Sequence, residues 1–430
     1  MTGERGLLRN GVFMALWGAQ ILSQVAANAT TFALIVLVAQ LTKSNTSSSI
    51  LILLSIVPAV AFGIFAGVIV DRSDRKRVLV VTNALRAVAV TPLLFGETVV
   101  TAYLVNALVA SVTVFFVPAE SATIPAIVRR RDLLVANSLF TFTFNGAFLV
   151  GFIILAPIAI ALVGFQALFA IVAAMFGGAA VLCITLPNSG PAQRHMSRDV
   201  AGEAFGQVVR GAAEAFRYLR SVPLVVSALV HIALTYTLVA VAGALAPGFV
   251  REVLGFEERN VVVLVAPAGI GVVAGLGILN IVSRRFGRAR AISFGMLIIA
   301  GALVLLAAAR PVSELFHRAA AGELGAAFPF FVGLVSLIAF VFGVGYAFIT
   351  VPSMTLLQEE LRDDIRGRVF GMLNMLVSVF SLFPLLIVGP IADLYGVAPV
   401  FVGAAALVLG VWSWARRAAT AYAPKVTVTE

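Results

Sequence analysis

Long apolar runs alternate along the chain with short polar pieces from the first residues to the last. Twelve such runs occur, at roughly 12–41, 48–70, 78–97, 99–128, 133–161, 164–187, 223–249, 261–283, 290–309, 328–357, 368–392 and 396–415. A bilayer core about 30 Å thick is crossed by about 20 helical residues rising 1.5 Å each. Each run therefore predicts one membrane-crossing helix. Helical periodicity within the runs adds little, because lipid and bundle interior both accept a helix that is apolar all round. The fold class expected is an all-α polytopic membrane protein with 12 transmembrane helices.

Composition excludes the alternatives. Of the 430 residues, 61% are hydrophobic and 12% charged, against roughly 25% charged in a soluble domain. A water-soluble fold lacks the polar surface to cover so much apolar material, and a disordered chain is excluded on the same ground. The N-terminal stretch after Asn10 is too long for a signal-peptide core and reads as an uncleaved first span.

The net charge of +10 reads as topology and not as nucleic-acid binding. One alternate set of polar pieces carries 24 Lys and Arg: the N-terminus, 71–77, 129–132, 188–222, 284–290, 358–368 and the C-terminus. The opposite set carries five, Lys43, Arg251, Arg259, Arg310 and Arg318, and Arg86 lies inside a run. By the positive-inside rule both termini are expected in the cytoplasm, and the basic loops can also touch anionic lipid head groups.

The organisation is six spans plus six. An N-terminal six-helix bundle is expected over 1–187, a cytoplasmic linker over 188–222 and a C-terminal six-helix bundle over 223–430. Within the linker, Phe205, Val208, Ala212, Phe216 and Leu219 form one helical stripe, which predicts an amphipathic helix along the membrane surface. The loops after spans two and eight, Asp71 to Arg77 and Arg284 to Arg290, are both short and basic. Two similar halves around a midplane cavity are the plan of an alternating-access transporter. No Ser/His, paired-Asp or H-E-x-x-H constellation appears in the spans, so an enzyme is not expected. Neither is a metal or other cofactor: Cys183 is the one cysteine, and His195, His231 and His317 are far apart.

The residues Gly67, Asp71, Arg72, Asp74, Arg75 and Lys76 form Gly67-Val-Ile-Val-Asp71-Arg72-Ser-Asp74-Arg75-Lys76 between spans two and three. This resembles the signature loop of the major facilitator superfamily, with Asp74 where the general pattern has glycine. That variant is similar to the branch of enterobactin exporters and macrolide efflux proteins. So are Pro118-Ala119 with Pro125, Leu133-Leu-Val-Ala-Asn137-Ser138-Leu139 and Arg366-Gly367-Arg368-Val369. The resemblance implies two six-helix bundles and export of small molecules through the bacterial inner membrane. It also implies a gate in which Asp71 and Arg75 latch the bundles in the outward-open state; plain anchoring of the loop by its cations is the other reading. Arg284 stands where the second loop would need Asp.

Inside the spans, Arg86 and Glu120 both fall roughly 14 Å from the basic edge. Opposite charges at one depth in a dry bundle are expected to pair, as a structural bridge or as a substrate or proton site. Gln20, Gln24 and Asn28 recur every four residues on one face of span one, as cavity lining or as interhelical hydrogen-bond partners. His231 can titrate near neutral pH or serve as a buried hydrogen-bond partner. Asn145, Tyr236, Tyr346 and Asn374 complete the cavity candidates. Related exporters carry Gly and Asp where this chain has Ala26 and Ala27, and of their span-five G-P-x-x-G-G pattern only Pro157 remains. An uncoupled mode, as in lysophospholipid-type facilitators, therefore stays open beside proton-linked export. The expected partners are a small amphiphilic substrate, protons and membrane lipids, with the protein a monomer.

Overall fold

A computed structural model describes Leu7 and residues 9–188, 223–318, 328–360 and 363–421. The amphipathic linker helix expected over about 200–220 lies outside the described residues. Twelve α-helices are present among those described: α1 Gly11–Thr42, α2 Asn45–Arg72, α3 Arg75–Val90, α4 Val99–Ile127, α5 Leu133–Phe148, α6 Ala156–Ile184, α7 Pro223–Leu254, α8 Val262–Phe286, α9 Arg288–Arg318, α10 Phe328–Glu360, α11 Asp363–Tyr395 and α12 Val397–Ala421. Each overlaps the apolar run expected of it. In hydrocarbon a backbone must satisfy its own N–H and C=O groups, which leaves a helix as the one local solution for a run of this length.

Eleven helical stretches are long and apolar enough to cross a membrane. The count is one short of twelve because Arg130–Ile184 is continuous by hydrogen bonding for 55 residues. At 1.5 Å per residue such a rod would be roughly 80 Å long, more than twice a bilayer core. It is broken at Gly164, whose φ of 81° and ψ of 178° are not helical. The fifth pass therefore runs through α5, a π-helical turn at Leu149–Leu155 and the start of α6, and the sixth begins after Gly164. That backbone region belongs almost solely to glycine. Gly164→Ala is expected to destabilise the protein by about 1–3 kcal/mol, read as a lower melting midpoint in detergent; an unchanged midpoint would place the turn elsewhere.

The short turns are built from capping side chains. Asn10 Oδ1 accepts from the backbone N–H groups of Val12 and Phe13. Ser44, Asp74 and Thr98 accept in the same way from Ser47, Lys76 and Thr101, opening α2, α3 and α4. These oxygens satisfy N–H groups that a helix start leaves orphaned. Lys43, with a left-handed φ of 54°, closes α1 by donating its N–H to Ala39 O.

The helices group into two compact units, Met1–Val209 with Glu257–Val262, and Arg210–Phe256 with Val263–Glu430. In the first, Phe13, Leu16, Leu79, Phe116, Phe140 and Cys183 form the core. In the second, Val225, Leu229, Ile232 and Leu357 form one cluster, and Leu279, Ala291 and Phe348 another. Large apolar side chains such as Leu134, Phe142 and Leu162 stand outward, each more than three-quarters exposed. In water that would be a liability; against acyl chains it costs nothing.

Candidate functional site

The most strongly built polar feature of the first unit surrounds Arg86. This side chain is 1% exposed and, among the described residues, is the largest fully buried one. Phe116 on α4 and Phe176 on α6 cover it, with ring centroids 4.3 and 4.9 Å from the guanidinium carbon. Arg86 Nη2 donates to Asn83 Oδ1 at 2.9 Å, and Ser23 Oγ of α1 donates to the same oxygen at 3.0 Å. Asn83 Nδ2 donates to Leu79 O and reaches Cys183 Sγ at 3.8 Å. Two aromatic faces and an amide thus hold a cation where hydrocarbon alone could not.

Glu120, 6% exposed on α4, shares this interior. Its charge interacts with that of Arg86, yet no ion-pair contact joins them, and Glu120 Oε1 is buried without a hydrogen-bond partner. The direct pairing expected from their common depth is absent in this conformation. The guanidinium is directed instead to Asn83 Oδ1 and to Thr82 O of its own helix, with the two phenyl rings over its faces. A carboxylate left with an open position beside a cation can take up a proton or a donor group, which a fully bridged pair could not.

The signature loop is arranged around α3. Asp74 caps the helix, and Arg75 Nη1 donates to Ala122 O of α4 at 2.8 Å. Asp71 is exposed and makes no ion pair among the described residues, so this conformation holds no Asp71–Arg75 contact. Arg72 and Lys76 are half-buried. A side chain at Gly67 would meet open space.

The polar stripe of α1 is turned inward. Gln20 Nε2 donates to Phe140 O of α5 at 3.2 Å, while its Oε1 is buried without a partner. Gln24 is buried, and Asn28 Nδ2 donates to Gln24 O. Asn28 also lies against the π-helical turn, where the Cβ of a residue replacing Gly151 would meet Val25 O and come within 3.0 Å of Asn28 Cβ. Glycine is required there for α1 and the fifth pass to approach. In the second unit, His231 is 4% exposed, with Nδ1 3.5 Å from Ser227 Oγ and Nε2 unpartnered. Tyr236 and Tyr346 meet edge to face at 6.3 Å. The side chains of Asn145 on α5 and Asn374 on α11 lie outside the described residues.

Sequence reasoning missed the charged contacts between distant residues, Arg288 with Glu359 and Lys43 with Glu258. Lys43, in the turn after α1, donates to both carboxylate oxygens of Glu258 at 3.0 and 2.9 Å, and Glu258 is 2% exposed. No local pattern marks a pair 215 residues apart. Asn83, Ser23, Phe116 and Phe176 were missed too, although an amide three positions before an intramembrane arginine shares its helix face and could have been noticed. Among the described residues no group of three or more His, Cys, Asp or Glu side chains could hold a metal.

Comparison with known proteins bears on the family and the fold. Residues 16–384 match the family model described as Major Facilitator Superfamily. The chain is 23% identical over 400 residues to an uncharacterized MFS-type transporter, YfiS, of Bacillus subtilis (strain 168), covering 93% of this chain and 91% of that one. Among solved structures it is similar to the nucleoside transporter NupG, with a TM-score of 0.69 and 14% identity, covering 95% of this chain and 98% of the other. It is likewise similar to a bacterial homologue of the human lysosomal transporter Spinster in an inward-facing, unoccupied conformation. There the TM-score is 0.70 and the identity 12%, covering 96% and 98%.

Proposed function

The chain belongs to the major facilitator superfamily, and on that premise we propose that it is a proton-linked secondary transporter exporting small amphiphilic molecules by alternating access. The observation that carries the reading is the buried, unpartnered Oε1 of Glu120 beside Arg86. When Glu120 is protonated, Arg86 has no negative neighbour and is free to leave its aromatic seat. When it is ionised, the cation is drawn toward it. Proton binding thereby couples to the packing of α3 against α4, and a two-state element biased by a proton is what coupled transport requires. In this reading the loops rich in Lys and Arg face the cytoplasm, as does the signature gate. The branch resemblance of the D-R-x-D-R loop supports efflux as the direction.

The test is transport of a panel of amphiphiles by the full chain in sealed vesicles, with a pH gradient imposed and then collapsed. Parent protein is expected to move substrate uphill only while the gradient lasts. Glu120→Gln is expected to lose gradient-driven accumulation while still exchanging substrate down its own gradient. Unchanged pH coupling in a normally expressed Glu120→Gln protein would remove this residue from the proton path. Parent transport indifferent to the gradient would point instead to a lipid-type facilitator.

A further inference from the structure

Two grooves sit at corresponding places in the two halves, one within each unit. The first, about 830 Å³, opens beside the α2–α3 loop; the second, about 500 Å³, opens beside the α8–α9 loop. Both fall in the roughly 300–1,000 Å³ range of small-molecule sites. Each takes one arginine from the last turn of the helix before the loop, Arg72 or Arg284, and one from the first turn of the helix after it, Arg77 or Arg288. Below these cations the walls turn apolar. Phe62, Val81 and Leu85 in the first groove and Leu276 in the second are all between 43% and 52% exposed.

The charge balance at each mouth is cationic. Asp74 borders the first groove, but its carboxylate caps α3 through the Lys76 N–H. Glu359 pairs with Arg288 at the second. Arg72, Arg77 and Arg284 make no ion pair among the described residues. Asn280 adds an amide to the second groove, whereas the hydroxyls of Ser73, Thr82 and Thr355 donate to carbonyls of their own helices. A cationic mouth over an apolar trough, at the end of membrane-crossing helices, complements a ligand with an anionic head and an acyl tail.

We infer that each groove binds one anionic phospholipid of the phosphatidylglycerol class from the leaflet that the basic loops face, with the phosphate at Arg72 and Arg77 in the first groove, at Arg284 in the second, where it competes with Glu359 for Arg288, and an acyl chain along the apolar wall. The inference stands apart from the transport reading, because it needs neither Glu120 nor a proton gradient. It makes the similarity of the two loops a repeated binding feature as well as a topology signal.

The test is native mass spectrometry of the full chain, delipidated in detergent and titrated with phosphatidylglycerol or phosphatidylcholine. Two phosphatidylglycerol molecules per chain are expected to bind on the order of tenfold more tightly than phosphatidylcholine. The Arg72→Gln, Arg77→Gln double variant should lose one, and the Arg284→Gln, Arg288→Gln double variant the other. Neutralising the exposed Arg129, Arg130 and Arg131, a basic loop that lines neither groove, should leave both. Equal retention of the two lipids, or equal loss from the 129–131 variant, would overturn the inference. So would full displacement by millimolar glycerol phosphate, which would make these phosphate sites and not lipid sites. A photoactivatable phosphatidylglycerol on the unaltered chain covers the case of a variant that fails to fold. Adducts are expected within 62–85, 111–115, 276–288 and 351–355, and adducts confined to other segments would count against it.

Discussion

Arg86→Met is expected to produce the largest loss of stability of any single substitution in the first unit. The methionine fills much of the space between Phe116 and Phe176 but brings no charge. Glu120 is then buried with no cation nearby, and Asn83 Oδ1 loses one of its two donors. Leaving a buried polar group without its donor costs about 1–3 kcal/mol, and more for a charged one. The expected readout is a sharp fall in folded yield and in melting midpoint in detergent. Adding Glu120→Gln to Arg86→Met should recover much of that loss, since the stranded charge is gone. A double variant no better than the single would mean that Arg86 acts through its aromatic and amide contacts alone.

The second large effect is expected where α8 crosses α10. A Cβ at Gly343 would run into Ala268 O, and one at Gly271 into Phe340 O. One at Gly275 would lie 2.8 Å from Ala347 Cβ. The first two obstacles are backbone, which cannot swing aside as the end of a side chain can, so any larger residue must push the helices apart. Helix association in lipid relies on such close approach, because the solvent offers no hydrophobic drive. Gly343→Val is accordingly expected to cost about 3 kcal/mol, the upper end for overpacking. Gly277→Ala, on α8 with open space around it, should change stability by less than about 1 kcal/mol. Melting both variants in one detergent checks the contrast; equal midpoints would show that the crossing is looser than described.

The fold was legible in the amino-acid pattern because lipid narrows the options. A run of 20 apolar residues has one way to satisfy its backbone there, so α1 to α12 fall on the expected runs. The break between the fifth and sixth passes showed as a short gap around Gly164. The site was only partly legible. The depth of Arg86 and Glu120 follows from counting residues, but whether they touch depends on how α3 and α4 are rotated. Helices apolar on every side carry no periodicity that reveals rotation. Gln20 illustrates the same limit: its face on α1 was evident, whereas its bond to Phe140 O needed the placement of α5. Lys43 and Glu258 were visible as charges on the sparsely basic side, and nothing local joined them.

That last pair bears on how the protein is made. The stretch Glu257–Val262 is part of the first unit, although α7 precedes it along the chain. A ribosome must therefore add the 49 residues from Val209 to Glu258 before the earliest helices acquire the carboxylate that Lys43 holds. The N-terminal half cannot reach its finished state during its own synthesis. A truncated product ending at Val209 would carry an ammonium group whose counter-ion had not yet been translated.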